Sequence, residues 1–199
     1  MKNVLLINSS LNGENGNSHQ LSEQFIAELT QKTDITVTRR DVAENSLPHL
    51  TQAEMGAWMT EPSQRSDEQN KLAAISDELV TELQNNKLIV MGVPMYNFGI
   101  PSTLKAWIDR VARAGITFKY TETGPVGLVE NTKVVILAAR GGMYLGTDMD
   151  TQTKYLKDFF AFLGINDVDF IYAEGLNMPD GDDSKNAASK EISDYVSAL

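Results

Sequence analysis

The composition is that of an ordinary globular protein. With 199 residues, 42% of them hydrophobic and 22% charged, the chain is long enough for one domain, residues 1–199, with a full core. The net charge of -10 argues against nucleic acid or an anionic membrane as a partner, because acidic surfaces repel phosphate groups. The absence of cysteine excludes disulfides and thiolate chemistry, so any redox activity requires a bound cofactor.

Five short apolar runs predict the strands of one sheet. They are Val4–Asn8, Ile35–Arg40, Leu88–Val93, Val134–Ala139 and Val168–Ala173. Helical patterns of apolar residues fill the intervals, which predicts an α/β fold with a parallel sheet covered by helices on both faces. The second run alternates polar and apolar residues, as an edge strand would.

Helix boundaries are indicated by capping residues. Asn17 and Pro101 are typical of helix starts, and a last helix is expected over roughly 184–198. The acidic run just before it is interpreted as a solvated loop; it contains Asp180, Asp182 and Asp183. The N-terminus has neither the length nor the flanks of a signal peptide or membrane span, so a cytoplasmic protein is expected.

Two insertions interrupt the alternation of strands and helices. Residues 45–66 include Thr51 and Glu54 at capping-box spacing, so a short helix is expected there, serving either as plain packing or as a lid over a ligand. Residues 117–133 alternate in the manner of strands around Gly124-Pro125, which predicts a hairpin turning at that pair.

The loop after the first strand has the character of an anion site. It spans Ser9 to His19, is rich in Ser, Gly and Asn, and leads into a helix whose N-terminal dipole favours negative charge. It has no Lys or Arg and matches neither the nucleoside-triphosphate nor the dinucleotide glycine pattern. One terminal phosphate fits best, and a solvated turn with a helix cap is the alternative.

The loops after the third and fourth strands favour a flat ring. Met95 to Phe98 offer aromatic and apolar surface between two prolines, and the glycine pair after Arg140 lets the backbone approach a ligand edge. His19 and His49 have no metal-ligand spacing, so no metal site is expected. A phosphate loop, two loops suited to a flat ring and a cysteine-free chain together predict FMN.

Over essentially its whole length the sequence resembles the FMN-dependent NADH azoreductases, also described as NAD(P)H:quinone oxidoreductases, of the flavodoxin-like superfamily. The segments that carry the resemblance are PMYNF from Pro94, VARAGITFKYTETGPVGL from Val111, ARGG from Ala139 and AEG from Ala173. The resemblance implies a flavodoxin-like doubly wound sheet and a homodimer with one FMN per subunit at the interface. It also implies ping-pong transfer from NADH to quinones and azo compounds, with the chemistry on FMN rather than on a catalytic side chain.

The resemblance also implies the site residues. Phosphate contacts fall on Ser10, Gly16, Asn17 and Ser18, with Ser9 as a neighbour. Ring contacts fall on Met95, Tyr96, Asn97, Phe98, Ala139, Arg140, Gly141 and Gly142. The substrate pocket is implied to have aromatic walls, which are Phe98, Phe118, Tyr120 and Phe162. Family members often have Ser in place of Ala139 and a Ser-x-Ser pattern in place of residues 16–18.

Three alternatives remain open at the level of the sequence. A flavodoxin-type electron carrier shares the acidic charge and the phosphate loop, but the two insertions and the aromatic pocket residues favour an enzyme. An iron or chromate reductase with the same flavin differs only in its acceptor. A phosphoacceptor signalling domain is disfavoured, because Asn8, Ser9 and Ser10 stand where its acid cluster would be.

Overall fold

A parallel sheet forms the centre of the protein in a computed structural model that describes residues 2–199. The strands are β1 (Lys2–Asn8), β2 (Ile35–Asp41), β3 (Leu88–Pro94), β4 (Phe118–Thr121), β5 (Gly124–Gly127), β6 (Lys133–Ala139) and β7 (Asp167–Ala173). The helices are α1 (Asn17–Lys32), α2 (Gln52–Met59), α3 (Asp67–Asn85), α4 (Ser102–Val111), α5 (Thr151–Leu163) and α6 (Gly181–Ala198). Five strands pair in the order β2-β1-β3-β6-β7, all parallel, and β4 and β5 form a separate antiparallel hairpin.

The predicted five-stranded α/β sheet is confirmed. Each predicted run lies inside an observed strand of the central sheet, and β2 lies at the edge as its alternating pattern indicated. All seven residues of β3 are buried because the strand lies at the centre of the sheet with helices on both faces. This strand order reverses direction between β1 and β3, which places a crevice at their carboxyl ends.

Two hydrophobic clusters pack on opposite faces of the sheet. One contains residues of α3, α4 and α5, including Trp107 and Phe160, and the other contains residues of α1 and α6, including Phe25 and Ile192. Alternate side chains of β1 enter the two clusters, as the two-residue period of a strand requires. None of the helices within residues 2–199 combines the length and the apolar character needed to cross a bilayer.

The first insertion is anchored by a buried ion pair. α2 begins with the predicted capping box of Thr51 and Glu54, which is confirmed. The Glu54 carboxylate accepts hydrogen bonds of 2.7 and 3.0 Å from the guanidinium of Arg110 on α4, and a third guanidinium nitrogen donates to the Pro48 carbonyl. The Trp58 ring lies 4.9 Å from the Arg113 guanidinium. The insertion is therefore fastened both to α4 and to the residues that directly follow it.

Two helix starts differ from the sequence prediction. The N-cap of α1 is Gly16 rather than Asn17, which is the first helical residue and makes no side-chain cap bond. α6 begins at Gly181, so Asp182 and Asp183 lie in its first turn and not in a loop. Carboxylates at this position are favoured by the helix dipole, a signal that the interpretation as a solvated loop overlooked.

The hairpin of the second insertion is confirmed, but its turn is not at Gly124-Pro125. Thr121 pairs with Gly124, so Glu122 and Thr123 form the turn and the glycine and proline belong to β5. The Thr121 hydroxyl donates to the Gly124 carbonyl and closes the turn from its side chain. Gly124 has a φ of 121°, a value that glycine adopts readily.

Replacing Arg110 with Met should lower the free energy of unfolding by about 3–5 kcal/mol, because the buried Glu54 carboxylate would lose its partner. The measurement is chemical denaturation. Asp109→Asn serves as the control, since it breaks the more exposed Lys105–Asp109 pair and should change stability by less than about 1 kcal/mol. Equal effects of the two substitutions would contradict the anchoring role of the buried pair.

Candidate functional site

The candidate site lies where three parallel strands end side by side. Asn8 of β1 is in register with Gly92 of β3, and Pro94 of β3 is in register with Ala139 of β6. The loops that follow these strands therefore leave the sheet at the same edge. They are the loops that the sequence predicted to bind phosphate and ring.

The predicted phosphate loop is folded tightly against its own first residues. The Ser9 hydroxyl donates to the Gly92 carbonyl at 2.9 Å, and the Ser10 hydroxyl accepts the Asn12 N–H at 3.2 Å. A Cβ atom at Gly16 would lie only 2.0 Å from the Ser10 Oγ. A glycine is thus required at residue 16 if Ser10 is to keep this position.

The N-terminus of α1 is open to an anion. Its N-cap, Gly16, has no side chain to accept the N–H groups of the first turn, and no acidic residue lies in that turn. Ser18 is 1% exposed, and within residues 2–199 its hydroxyl has no hydrogen-bond partner. Because buried hydroxyls nearly always find a partner, an unpartnered one beside free helix N–H groups indicates a ligand position.

The loop after β3 contains an unusual turn. The backbones of Tyr96 and Gly99 exchange two hydrogen bonds of 3.0 Å, and the residues between them, Asn97 and Phe98, have φ values of 50° and 66°. Two-residue turns of this kind normally contain Asn and Gly, so a phenylalanine with positive φ is strained. Such strain is typical of functional loops that the surrounding structure holds in place.

A cavity of about 520 Å³ lies between this turn, the first loop and the start of α4. Leu11, Met95, Tyr96 and Asn97 are among its lining residues, and the Leu11 N–H donates to the Tyr96 hydroxyl at 3.1 Å. The volume is within the range of roughly 300–1,000 Å³ that is usual for small-molecule sites. The predicted phosphate loop and the predicted ring loop are therefore joined at one cavity.

The polar groups of Arg140, a predicted ring contact, all have partners within the protein. Its guanidinium donates to Glu174 and Asp150 at 2.9 Å and to Gln152 at 3.2 Å, and the side chain is fully buried. Its backbone N–H and carbonyl are bonded to Ala173 and Leu176. Arg140 therefore supports the loop after β6.

Ala139 is buried, and its carbonyl accepts the Met95 N–H at 3.0 Å, which joins the second and third loops. Gly141 and Gly142 follow, and their carbonyls accept N–H groups of residues 177 and 175. In the described part of the chain their own N–H groups make no hydrogen bond. A Cβ at Gly141 would lie 2.5 Å from the side-chain amide nitrogen of Asn177, so a larger residue here would have to displace that exposed side chain.

Glu174, for which the sequence predicted no individual role, organises the loop after β6. Its buried carboxylate accepts the N–H groups of Tyr144 and Leu145 at 3.0 Å in addition to the Arg140 bond. Glu174 belongs to the Ala-Glu-Gly segment that contributed to the resemblance. A charged residue directly after a buried strand was therefore the one sequence feature that could have indicated its role. Its role is to fold residues 141–146 back over the sheet edge.

The predicted aromatic walls form a cluster of their own. The Phe118 ring lies 4.3 Å from that of Phe162 and 5.4 Å from that of Tyr120, between ring centroids, and Tyr120 is 74% exposed. Phe162 lies near the end of α5, about 17 Å along the helix from Thr151, which contacts Phe98. Within one chain this cluster is therefore apart from the cavity, whereas Phe98 directly follows Asn97 of the cavity lining and is 46% exposed.

Comparison with known proteins agrees with this geometry. A family model described as a flavodoxin-like fold matches residues 2–197. The chain belongs to this flavodoxin-like family. Among family members, the FMN-dependent NADH:quinone oxidoreductase of Alteromonas mediterranea is 54% identical over all of this chain and 98% of its own length. The protein of the same name from Cellvibrio japonicus is 50% identical over the full length of both chains.

A solved structure extends the likeness within the flavodoxin-like family. The FMN-dependent NADH-azoreductase from Bacillus anthracis, described in complex with FMN, superposes with a TM-score of 0.91. It is 28% identical and aligns over 100% of this chain and 99% of its own. The family resemblance predicted from the sequence is thereby confirmed.

Gly16→Ala should lower the free energy of unfolding by about 1–3 kcal/mol, because the new methyl group would overlap the Ser10 side chain. Gly56→Ala is the matched control, since a Cβ atom at this position of α2 would meet no neighbouring group within 4 Å and alanine is the better helix former. It should raise stability by about 0.5–1 kcal/mol. Denaturation curves that shift in the same direction would contradict the close packing at Gly16.

Proposed function

We propose that this protein is an FMN-dependent oxidoreductase that carries electrons from NADH to quinones and also cleaves aromatic azo compounds. Residues 1–199 act as one FMN-binding domain. The observation that carries the proposal is the unpartnered Ser18 hydroxyl at the open N-terminus of α1. The loop that leads into this helix also lines the cavity, through Leu11. The names of the two bacterial relatives and of the superposed azoreductase support the same activity.

The residues present fit the phosphate of FMN. Ser18 and the first-turn N–H groups of α1 would donate to it, with Asn17 and the Ser10 backbone at the sides of the loop. All of these donors are neutral, which suits one phosphate rather than the larger charge of a triphosphate. Gly16 would let the phosphate approach the backbone closely.

The flat ring would occupy the cavity between the first and second loops. Met95 and Tyr96 would supply surface, and the free N–H groups of Asn97, Gly141 and Gly142 would donate to polar atoms of the ring edge. Donors beside the ring would stabilise the negative charge that develops on reduction. Bound FMN would supply the chemistry itself, accepting a hydride from NADH and passing two electrons to the acceptor.

The protein's part in turnover is then positioning and exclusion of water. The nicotinamide would leave before the acceptor enters the same face, a ping-pong order, because both need the exposed side of the ring. Cleavage of an azo bond takes four electrons and hence two rounds of NADH oxidation. The described lining of the cavity contains no carboxylate, histidine or lysine; its residues are Leu11, Met95, Tyr96, Asn97, Ile100, Pro101 and Ser102.

A homodimer would complete the substrate pocket. Phe162 lies near the end of α5, and Phe118 and Tyr120 of the hairpin cluster with it, so these rings do not cover the cavity of their own chain. Tyr120 and Val126 of the hairpin are exposed. A second copy would bring this aromatic cluster over the ring, while Phe98 reaches towards the neighbouring site. We further propose that the enzyme acts in the cytoplasm, where a cysteine-free chain has no need of disulfides.

The decisive experiment is an anaerobic absorbance titration of the FMN-loaded protein with NADH and then with a benzoquinone. We expect the flavin band to bleach when NADH is added before any quinone is present. The band should return when quinone is added after the NADH has been consumed. With an aromatic azo dye, two NADH should be consumed for each azo bond cleaved. Initial rates at varied substrate pairs should give the parallel lines of a ping-pong order.

The outcomes also separate the rival functions. A flavin band that NADH does not bleach would favour an electron carrier, whose flavin exchanges electrons with protein partners. Fast bleaching by NADH with reoxidation by ferric or chromate salts, but not by quinone, would favour a metal-salt reductase. A protein that takes up no FMN would overturn the whole proposal.

A further inference from the structure

The strained turn at Asn97 and Phe98 is held from outside by α5. The Thr151 hydroxyl donates to the Phe98 carbonyl, and the Gln152 side-chain amide donates to the carbonyls of Pro94 and Gly99 at 2.9 and 3.3 Å. Both residues lie in the first turn of the helix. Thr151 and Gln152 therefore donate hydrogen bonds to three carbonyls in or next to the turn.

The orientation of the Gln152 amide is itself fixed. Its oxygen accepts a 3.2 Å bond from the Arg140 Nε, so its nitrogen must face the carbonyls of the β3 loop. Arg140 is held in turn by Glu174 and by Asp150. Burial opposes ionisation of Asp150, but the bonds from Arg140 and Thr153 outweigh it and lower the pKa of this carboxyl.

This arrangement connects two loops of the candidate site through one buried network. The loop after β6 reaches it through Arg140, and the loop after β3 reaches it through Pro94 and Gly99. Within residues 2–199 the N–H groups of Asn97 and Phe98 make no hydrogen bond, so the held turn has two free donors, one of them on Asn97 of the cavity lining. A phenylalanine with positive φ would otherwise tend to relax to a different backbone conformation.

We propose that Thr151 and Gln152 are positioning residues, which hold the Tyr96–Gly99 turn in its strained conformation and so preorganise its free N–H groups for the ring of a bound flavin. This inference rests on the proposed function for the identity of the ligand. The inference that the two residues hold the turn does not depend on the proposed function, since every contact involved lies within the protein. Preorganised donors bind more tightly because the ligand does not have to order them.

The test measures amide hydrogen exchange of residues 95–99 in the FMN-free protein, and then FMN affinity, in matched variants. Thr151→Val removes the hydroxyl but keeps the branched shape at an exposed position, and Thr151→Ser restores the hydroxyl. Gln152→Leu removes the amide at similar volume. Thr147→Val is the control, because it deletes a comparable hydroxyl-to-carbonyl bond, to Tyr144, outside the turn.

We expect Thr151→Val and Gln152→Leu to speed exchange of the Tyr96 and Gly99 amides by roughly three- to tenfold, the worth of one hydrogen bond. FMN affinity should fall by a similar factor of roughly three to ten, with a shifted flavin absorption band. Thr151→Ser and Thr147→Val should match the wild type in exchange of residues 95–99. The exposed position of Thr151 keeps the comparison valid even if Gln152→Leu folds poorly.

Unchanged exchange in Thr151→Val would overturn the proposal, and so would a Thr151→Ser variant that behaves like Thr151→Val. Faster exchange across the whole chain, without a local effect at residues 95–99, would also overturn it, because the role would then be general stability. A wild-type protein that binds no FMN would refute the proposed function instead, while the exchange data would still decide the role of the two residues in holding the turn.

Discussion

The parallel register of β1, β3 and β6 is the constraint on which the site depends. Because these strands run in the same direction and end at the same level, their loops meet at one edge although they are far apart in sequence. The reversal of strand order between β1 and β3 opens the crevice there. Each loop then needs only local chemistry, a glycine, a free hydroxyl or a strained turn, to contribute to the candidate site at this edge.

The candidate site offers neutral hydrogen-bond donors rather than free cations to a ligand phosphate. The first loop contains no cation, and Arg140, which follows β6, is neutralised by Glu174 and Asp150. A ligand phosphate would therefore be held by the helix dipole and by N–H and O–H groups, in a protein with a net charge of -10. The buried ion pairs of Arg140 instead hold the site loops in place. The Glu54–Arg110 pair holds the first insertion in the same way.

The sequence predicted the sheet well because buried strands and helical faces have clear periods. The glycine-rich loop after β1 and the aromatic loop after β3 were recognisable by composition. The first residue of a helix was harder to predict from the sequence. Asn17 and the aspartates after Asp180 are residue types that commonly cap helices. Only the folded chain decides which residue in each segment is the N-cap. The roles of Gln152 and Glu174 depend on partners as distant as Pro94 and Arg140, and no local pattern indicates such contacts.

The most direct test of the phosphate site compares the affinity of the FMN-free protein for FMN and for riboflavin, which lacks the phosphate, by calorimetric titration. FMN should bind at least about tenfold more tightly, since charge-assisted bonds to a phosphate contribute roughly 1.5–3 kcal/mol each. The same preference should shrink in Ser18→Ala, whose hydroxyl is the unpartnered donor. Equal affinity of the wild-type protein for the two flavins would contradict the phosphate site at the N-terminus of α1.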